Sequence, residues 1–172
     1  PQALPELVRG VRQELAAGVS PGDLGYTLAR RRQHLESRLS VVYSSPESLD
    51  ERLADYLRGE QGPYVLQDQR REGPRPELVW VFTGMGPQWW AMGRQLFESE
   101  PVYREVIEDC DREIREQAGW SLIEEMGAAE ADSNMAETWL AQPANFAVQI
   151  GLAALWRSYG VHPDAIVGHS TG

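Results

Sequence analysis

Apolar residues recur along this chain in two rhythms. Leu4, Leu7, Val8, Val11 and Leu15 fall at helical spacing and predict a helix over 4–17, stopped by Gly18. Ser20-Pro21 opens a second helix, with Leu24, Thr27 and Leu28 facing inward. The stretch RLSVVYS (38–44) is β-branched and aromatic and predicts a strand. Ser45 then offers an N-cap, with proline at the first helical position. Leu49, Leu53, Tyr56 and Leu57 line that helix, which Gly59 ends, and 64–67 is a short strand. This is a small α/β unit running to about Glu72.

A charged, proline-rich stretch, QRREGPRPE (69–77), reads as a boundary. The domains predicted are 1–75 and 76–172. The second opens on Leu78-Val79-Trp80-Val81-Phe82, a continuous apolar run that predicts a strand buried on both faces, as in parallel sheets. Thr83 to Pro87 is the loop after it, and a helix is expected over 89–97. Ser99, Glu100 and Pro101 start another helix, with Val102, Val106, Cys110 and Ile114 at four-residue spacing, Ile107 beside them, and Gly119 at its end. Short helices are expected at 121–126 and 134–139. The strongest helical pattern is 143–159, with Phe146, Ile150, Leu152, Ala153, Leu155 and Trp156 apolar and Gly160 as its stop. A short buried strand over 164–169 ends on Ser170. Strand, helices, strand makes a parallel α/β unit.

Composition narrows the function classes. At 172 residues and 42% hydrophobic, the chain can bury a core. A net charge of −10 argues against nucleic acid as a partner, which calls for a basic stripe. All 16 basic residues are arginine, which reads as coding bias. The single cysteine, Cys110, forms no internal disulfide and suits a reducing, cytoplasmic setting. The apolar stretch 139–156 is interrupted by Gln142, Asn145 and Gln149, so it reads as a core helix and no membrane span is expected. No signal peptide is visible, and the initial proline suggests a start produced by cutting.

The chemistry gathers at Gly168-His169-Ser170-Thr171-Gly172. A serine hydroxyl is a weak nucleophile that needs exposure, a base and donors for the oxyanion. A tight turn behind a buried strand lifts the serine off the sheet and aims the next N–H, that of Thr171, at the oxyanion. A plain strand-ending turn is the alternative. A second donor can come from Gly84-Met85-Gly86, where glycines let backbone N–H groups approach a ligand; a tight turn without a ligand is equally compatible. His169 is unsuited as base, because adjacent side chains diverge in such a turn. His162 and His34 read as solvated or remote. Arg30-Arg31-Arg32 reads as a solvated helix end, Trp89-Trp90 as packing, Cys110 as core, and the acidic run 108–116 as an exposed face. No metal-ligand spacing and no phosphate loop are present.

Val81 to Trp89 followed by Met92-Gly93, Ala141-Gln142-Pro143-Ala144, and Gly168 to Gly172 together resemble three motifs of the acyltransferase domains in modular polyketide synthases and animal-type fatty acid synthases. Residues 23–43 resemble the linker subdomain between a ketosynthase and an acyltransferase. The resemblance implies an α/β fold: a small α/β linker subdomain, then the first part of an α/β-hydrolase-like acyltransferase domain with a parallel sheet. It implies Ser170 as nucleophile, the backbone N–H groups of Met85 and Thr171 as the oxyanion hole, and Gln142, His169, Gly84, Gly86 and Gln88 around the substrate. Gln142 equally suits a polar position at a helix start. Many members of the family carry glutamine where Met85 stands, which a main-chain donor tolerates. A CoA thioester is then the substrate, probed most simply as malonyl-CoA, and Thr171 leans toward malonyl. The domain itself binds no cofactor or metal. The phosphopantetheine of an acyl carrier protein receives the acyl group, an adjacent ketosynthase is a further partner, and the parent is homodimeric. The family's catalytic histidine and its carboxylate-binding arginine fall beyond residue 172, so the chain is expected to be a fragment that is inactive by itself.

Two other classes share these features. A serine hydrolase, whether thioesterase or patatin-like, also uses G-x-S-x-G and passes the acyl group to water. A non-catalytic docking module of a megasynthase needs no acylation at all.

Overall fold

The computed structural model describes residues 3–60, 62–70 and 73–172. The chain divides into two compact units, Pro1–Pro74 and Arg75–Gly172. Of the expected boundary stretch, Arg71 and Glu72 lie outside the described residues.

In the first unit, α1 (Ala3–Ala16) is followed by α2 (Pro21–Arg30), whose N-cap Ser20 accepts from the N–H groups of Gly22 and Asp23. Strand β1 (Ser37–Val41) pairs antiparallel with β2 (Val65–Gln69), Leu39 opposite Gln67. Between them, α3 (Pro46–Arg58) begins on a reciprocal cap: Ser45 Oγ accepts from the Ser48 N–H, and Ser48 Oγ from the Ser45 N–H. Such a cap satisfies amides that a helix start leaves without partners and contributes about 1 kcal/mol. Val8, Leu49 and Leu53 form the buried centre, with Val11, Leu15, Leu39, Val41, Tyr56 and Leu57 packed on it. Arg12 grips Asp50 through Nε and Nη2, at 2.6 and 2.9 Å. The charged stretch 69–77 overlaps the end of this unit, since β2 runs through Gln69 and the Arg70 N–H still bonds the Glu36 carbonyl.

In the second unit, β3 (Val79–Phe82) pairs parallel with β4 (Ala165–Gly168), Val79 opposite Ala165 and Phe82 opposite Gly168. Asp164 fastens the start of the pair: its carboxylate accepts from the Leu78 N–H at 2.7 Å and meets Arg75. The hydrogen bond from Leu78, helped by Arg75, holds this carboxyl below the usual aspartate range. Between the strands lie α4 (Arg94–Ser99), α5 (Pro101–Ala118), α6 (Leu122–Gly127), a single 3-10 turn (Glu130–Asp132) and α7 (Thr138–Ser158). The fold is mixed α/β with a small parallel sheet.

The core of this unit is helical. Met92, Tyr103, Ile107, Leu122, Met126, Met135, Leu140, Ala144 and Ala147 are buried together. Tyr103 is the wedge. A β-carbon on Gly151 would lie 2.7 Å from its ring, and one on Gly93 would meet its hydroxyl. Two glycines on different elements thus make room for one aromatic ring, in an interior packed as densely as a crystal.

Several sequence expectations change here. The helix expected over 89–97 begins only at Arg94, because Gly93 sits at φ 79 and the preceding residues form turns. The separate helix expected at 134–139 is a turn, and α7 starts at Thr138, so Pro143 lies inside the helix rather than at its start. The buried face of α5 is Tyr103, Ile107 and Asp111, one step round from the expected apolar row; Val102 is exposed. Phe146 and Trp156 of α7 are exposed as well. The two strands expected to be buried are open: Val81 is 67% exposed and Ile166 56%, with Val79 and Val167 similar. A continuous apolar run specifies a strand, but burial on both faces also needs covering layers. In these residues the helices bury chiefly one another.

Candidate active site

The carboxyl ends of β3 and β4 lie side by side, and each runs into a glycine-bearing turn. After β4 the chain reverses tightly. The His169 N–H still donates to the Phe82 carbonyl at 3.1 Å, and the Gly172 N–H returns to the His169 carbonyl at 2.9 Å. Between them Ser170 is held at φ 58, the one non-glycine residue with positive φ among the described residues. The left-handed region costs an L-residue roughly 1–2 kcal/mol, and such strain recurs where a side chain must be presented.

Glycine is required here by space. A β-carbon at Gly168 would strike the Gly172 carbonyl group, and one at Gly172 would strike the Phe82 carbonyl. A β-carbon at Gly84 would lie 2.7 Å from Ser170 Cβ and 3.2 Å from its Oγ. The loop after β3 is therefore pressed directly against the serine. Gly86, at φ 131, lets that loop turn back on itself. Among the described residues, the N–H groups of Met85 and Thr171 have no backbone acceptor. The Met85 side chain is exposed.

The structure brings most of the candidate residues to this one place. Ser170, Thr171, His169, Gly84, Met85, Gly86 and Gln88 share the two loops. Gln88 is half-buried, and its Oε1 accepts from the Gly86 N–H at 2.6 Å. Gln142 lies one helical turn into α7 and faces a groove of about 450 Å³ with Thr138, Trp139, Pro143, Phe146 and Thr171. Trp120 buttresses Trp139 edge to face, with ring centroids 5.0 Å apart. Thr171 Oγ1 is buried without a hydrogen-bond partner among the described residues. His169 is exposed, His162 lies in an exposed loop, and His34 bonds the Ala29 carbonyl in the first unit at 3.0 Å. Trp90 lies under the Arg94 guanidinium, 4.3 Å from ring centroid to Cζ, whereas Trp89 is exposed. Cys110 is half-buried, and burial, with Asp109 nearby, pushes its thiol up. Among the described residues no group of three His, Cys, Asp or Glu side chains is placed to hold a metal ion, and no helix is long and apolar enough to cross a membrane.

The family described as the acyl transferase domain matches residues 79–172, from the first residue of β3 through the serine turn. The chain belongs to the acyl transferase domain family. Among curated relatives of this acyl transferase chain, the mycocerosic acid synthase-like polyketide synthase of Mycobacterium tuberculosis is 42% identical over 156 residues, which is 90% of this chain and 7% of that protein. The chain thus spans less than a tenth of the length of this curated relative. The acyltransferase domain from module 8 of the salinomycin polyketide synthase superposes with a TM-score of 0.82 at 28% identity, over 100% of this chain and 41% of that one. The acyl transferase domain of SpnD, in complex with 2-(pent-4-yn-1-yl)malonyl, superposes with a TM-score of 0.75 at 26% identity, over 99% of this chain and 40% of that one.

Two residues that touch the glycine loop of the candidate site were not singled out for it by sequence. Asn145, only 6% exposed, donates through Nδ2 to Gln88 Oε1 at 3.4 Å. Gln149 donates through Nε2 to the Thr83 carbonyl at 3.0 Å. The signal was available in their spacing. Gln142, Asn145 and Gln149 stand at i, i+3 and i+7, one stripe on an otherwise apolar helix.

Proposed function

We infer that the protein carrying this sequence loads an acyl group, malonyl in the simplest case, from a CoA thioester onto an acyl carrier protein through an acyl-serine at Ser170. The observation that carries this reading is Ser170 itself, held at φ 58 at the end of a parallel strand with the Gly84 loop pressed against it. In the first half-reaction Ser170 Oγ attacks the thioester carbonyl, and its proton passes to a base. The resemblance to polyketide synthase acyltransferases implies a histidine in that role. The oxyanion faces the N–H groups of Met85 and Thr171, and collapse expels the CoA thiolate, which takes up a proton. The phosphopantetheine thiol of the carrier protein then attacks the ester and restores the serine hydroxyl. A covalent intermediate splits one hard transfer into two easier ones, and preorganised N–H donors stabilise both tetrahedral states.

Membership of the acyl transferase family supports the reaction class. The malonyl compound in a relative supports the substrate class. The polyketide synthase relatives support a multidomain setting with a ketosynthase and a carrier protein as partners. Gln142, Thr171 and Trp139 are then the walls against which the acyl group lies.

The test is the intact mass of the full-length protein after brief exposure to malonyl-CoA. The expected result is a malonyl adduct mapping to Ser170, discharged by carrier protein and absent from Ser170→Ala. Steady release of CoA with no adduct and no acylated carrier protein would identify a hydrolase and overturn the reading.

A further inference from the structure

The loop that bears Met85 is tied to a helix at both ends. At its start the Thr83 carbonyl accepts from Gln149 Nε2 at 3.0 Å. At its far end Gln88 Oε1 holds the Gly86 N–H at 2.6 Å and receives Asn145 Nδ2 at 3.4 Å. Both donors belong to α7, and Asn145 and Gln149 lie four residues apart on one face of it. We propose that Asn145 and Gln149 are positioning residues for acyl transfer, fixing the 83–88 loop so that the Met85 N–H points at the oxyanion formed on Ser170.

Three considerations favour this over a purely structural role. First, a buried amide in an apolar helix is unfavourable unless bonded, and the partner of Asn145 is a loop side chain rather than the helical core. Second, among the described residues these are the side-chain hydrogen bonds that reach the 83–88 loop from other elements. The loop follows a strand whose outer residue Val81 is exposed, and it contains Gly84 and Gly86, which lose much conformational freedom when ordered. Third, an oxyanion donor works only when its geometry is set in advance, because reorganisation during reaction cancels the gain. Tethers at 83 and 88 bracket Met85 on both sides. α7 is in turn held by Tyr103, whose ring fills the space over Gly151 and reaches Gly93. The hydrogen bonds of α7 to the loop therefore start from a rigid base.

The inference rests on the acyl-serine reading, and the experiment separates the two. Full-length wild-type protein and its Gln149→Leu, Gln149→Glu and Asn145→Leu variants are treated with malonyl-CoA and, independently of acyl specificity, with a fluorophosphonate that labels nucleophilic serines. The rate of Ser170 modification is followed by mass. Removing one oxyanion donor costs roughly 10²–10³ in rate, so loosening it through a tether is expected to slow acylation about tenfold or more. KM is expected to stay within about twofold, since the ground state gains little from the loop. Gln149→Glu gives the decisive readout. Its carboxylate cannot donate to the Thr83 carbonyl, but its protonated form can. The ratio of variant to wild-type rate is therefore expected to rise as pH falls from about 8 toward about 5, as glutamate protonates. A merely structural glutamine predicts a flat ratio. Rates equal to wild type in Gln149→Leu and Asn145→Leu, or a flat ratio in Gln149→Glu, overturn the proposal while leaving the acyl-serine intact. A wild-type protein that neither reagent modifies at Ser170 overturns both.

Discussion

Ser170 is held in a conformation that serine disfavours. At φ 58 it accepts a local penalty that glycine would not pay. Ser170→Gly is therefore expected to raise the stability of the fold by about 1 kcal/mol while removing the proposed nucleophile, and a thermal melt beside the acylation assay reads both effects. The glycines around this serine were legible because a five-residue motif carries them. Their reasons were not, since sequence cannot say that Gly172 lies on the Phe82 carbonyl or that Gly84 lies on Ser170. Asn145 and Gln149 were read as interruptions of an apolar stretch, evidence against a membrane span, although their spacing with Gln142 marks one stripe of a helix. Their partners stand more than fifty residues away in sequence, beyond the reach of any local pattern.

The elements were read well where a local signal fixes them. Ser20 and Ser45 cap α2 and α3 as their spacing foretold, and Gly59 and Gly119 end α3 and α5 in the left-handed conformation. Errors came where tertiary contacts choose between near-equal options. The start of α4 depends on Gly93 meeting Tyr103, and the face of α5 turned inward by one residue to bury Tyr103 and Asp111. Asp111 sits in an acidic run that reads as solvated, yet it is buried and accepts from the Ile123 N–H, Ser121 Oγ and Arg115 Nε, joining α5 to the start of α6. Burial pushes this carboxyl up, but the three donors outweigh it and hold it below the usual aspartate range. A depressed carboxyl stabilises the fold at any pH above its unfolded value and loses that contribution as pH falls through its folded one. Asp111→Asn is thus expected to lower the melting temperature at neutral pH, with the gap to wild type closing below about pH 4. Melting curves across pH check this.

At the scale of the whole molecule, the unit over 75–172 has a closed helical core and an open sheet. Val79, Val81, Ile166 and Val167 present apolar surface on a two-stranded sheet. Exposed apolar patches and unpaired strand edges promote association. Residues 1–172 expressed by themselves are expected to self-associate and to transfer no acyl group to a carrier protein, and the pair Val81→Glu and Ile166→Glu is expected to reduce the association. Light scattering and a loading assay decide both points. The α/β class and the parallel pairing of the strand before the glycine loop with the strand before the serine followed from the order of the elements.

The loop beside Ser170 is bounded in opposite senses by two kinds of force. Inward travel meets hard repulsion, since Gly84 already lies where even a methyl group has no room. Outward travel stretches the links to Asn145 and Gln149. Repulsion rises steeply and hydrogen bonds yield gradually, so the gap between loop and serine has a firm floor and a soft ceiling. The loop is thus confined on one side by packing and on the other by hydrogen bonds.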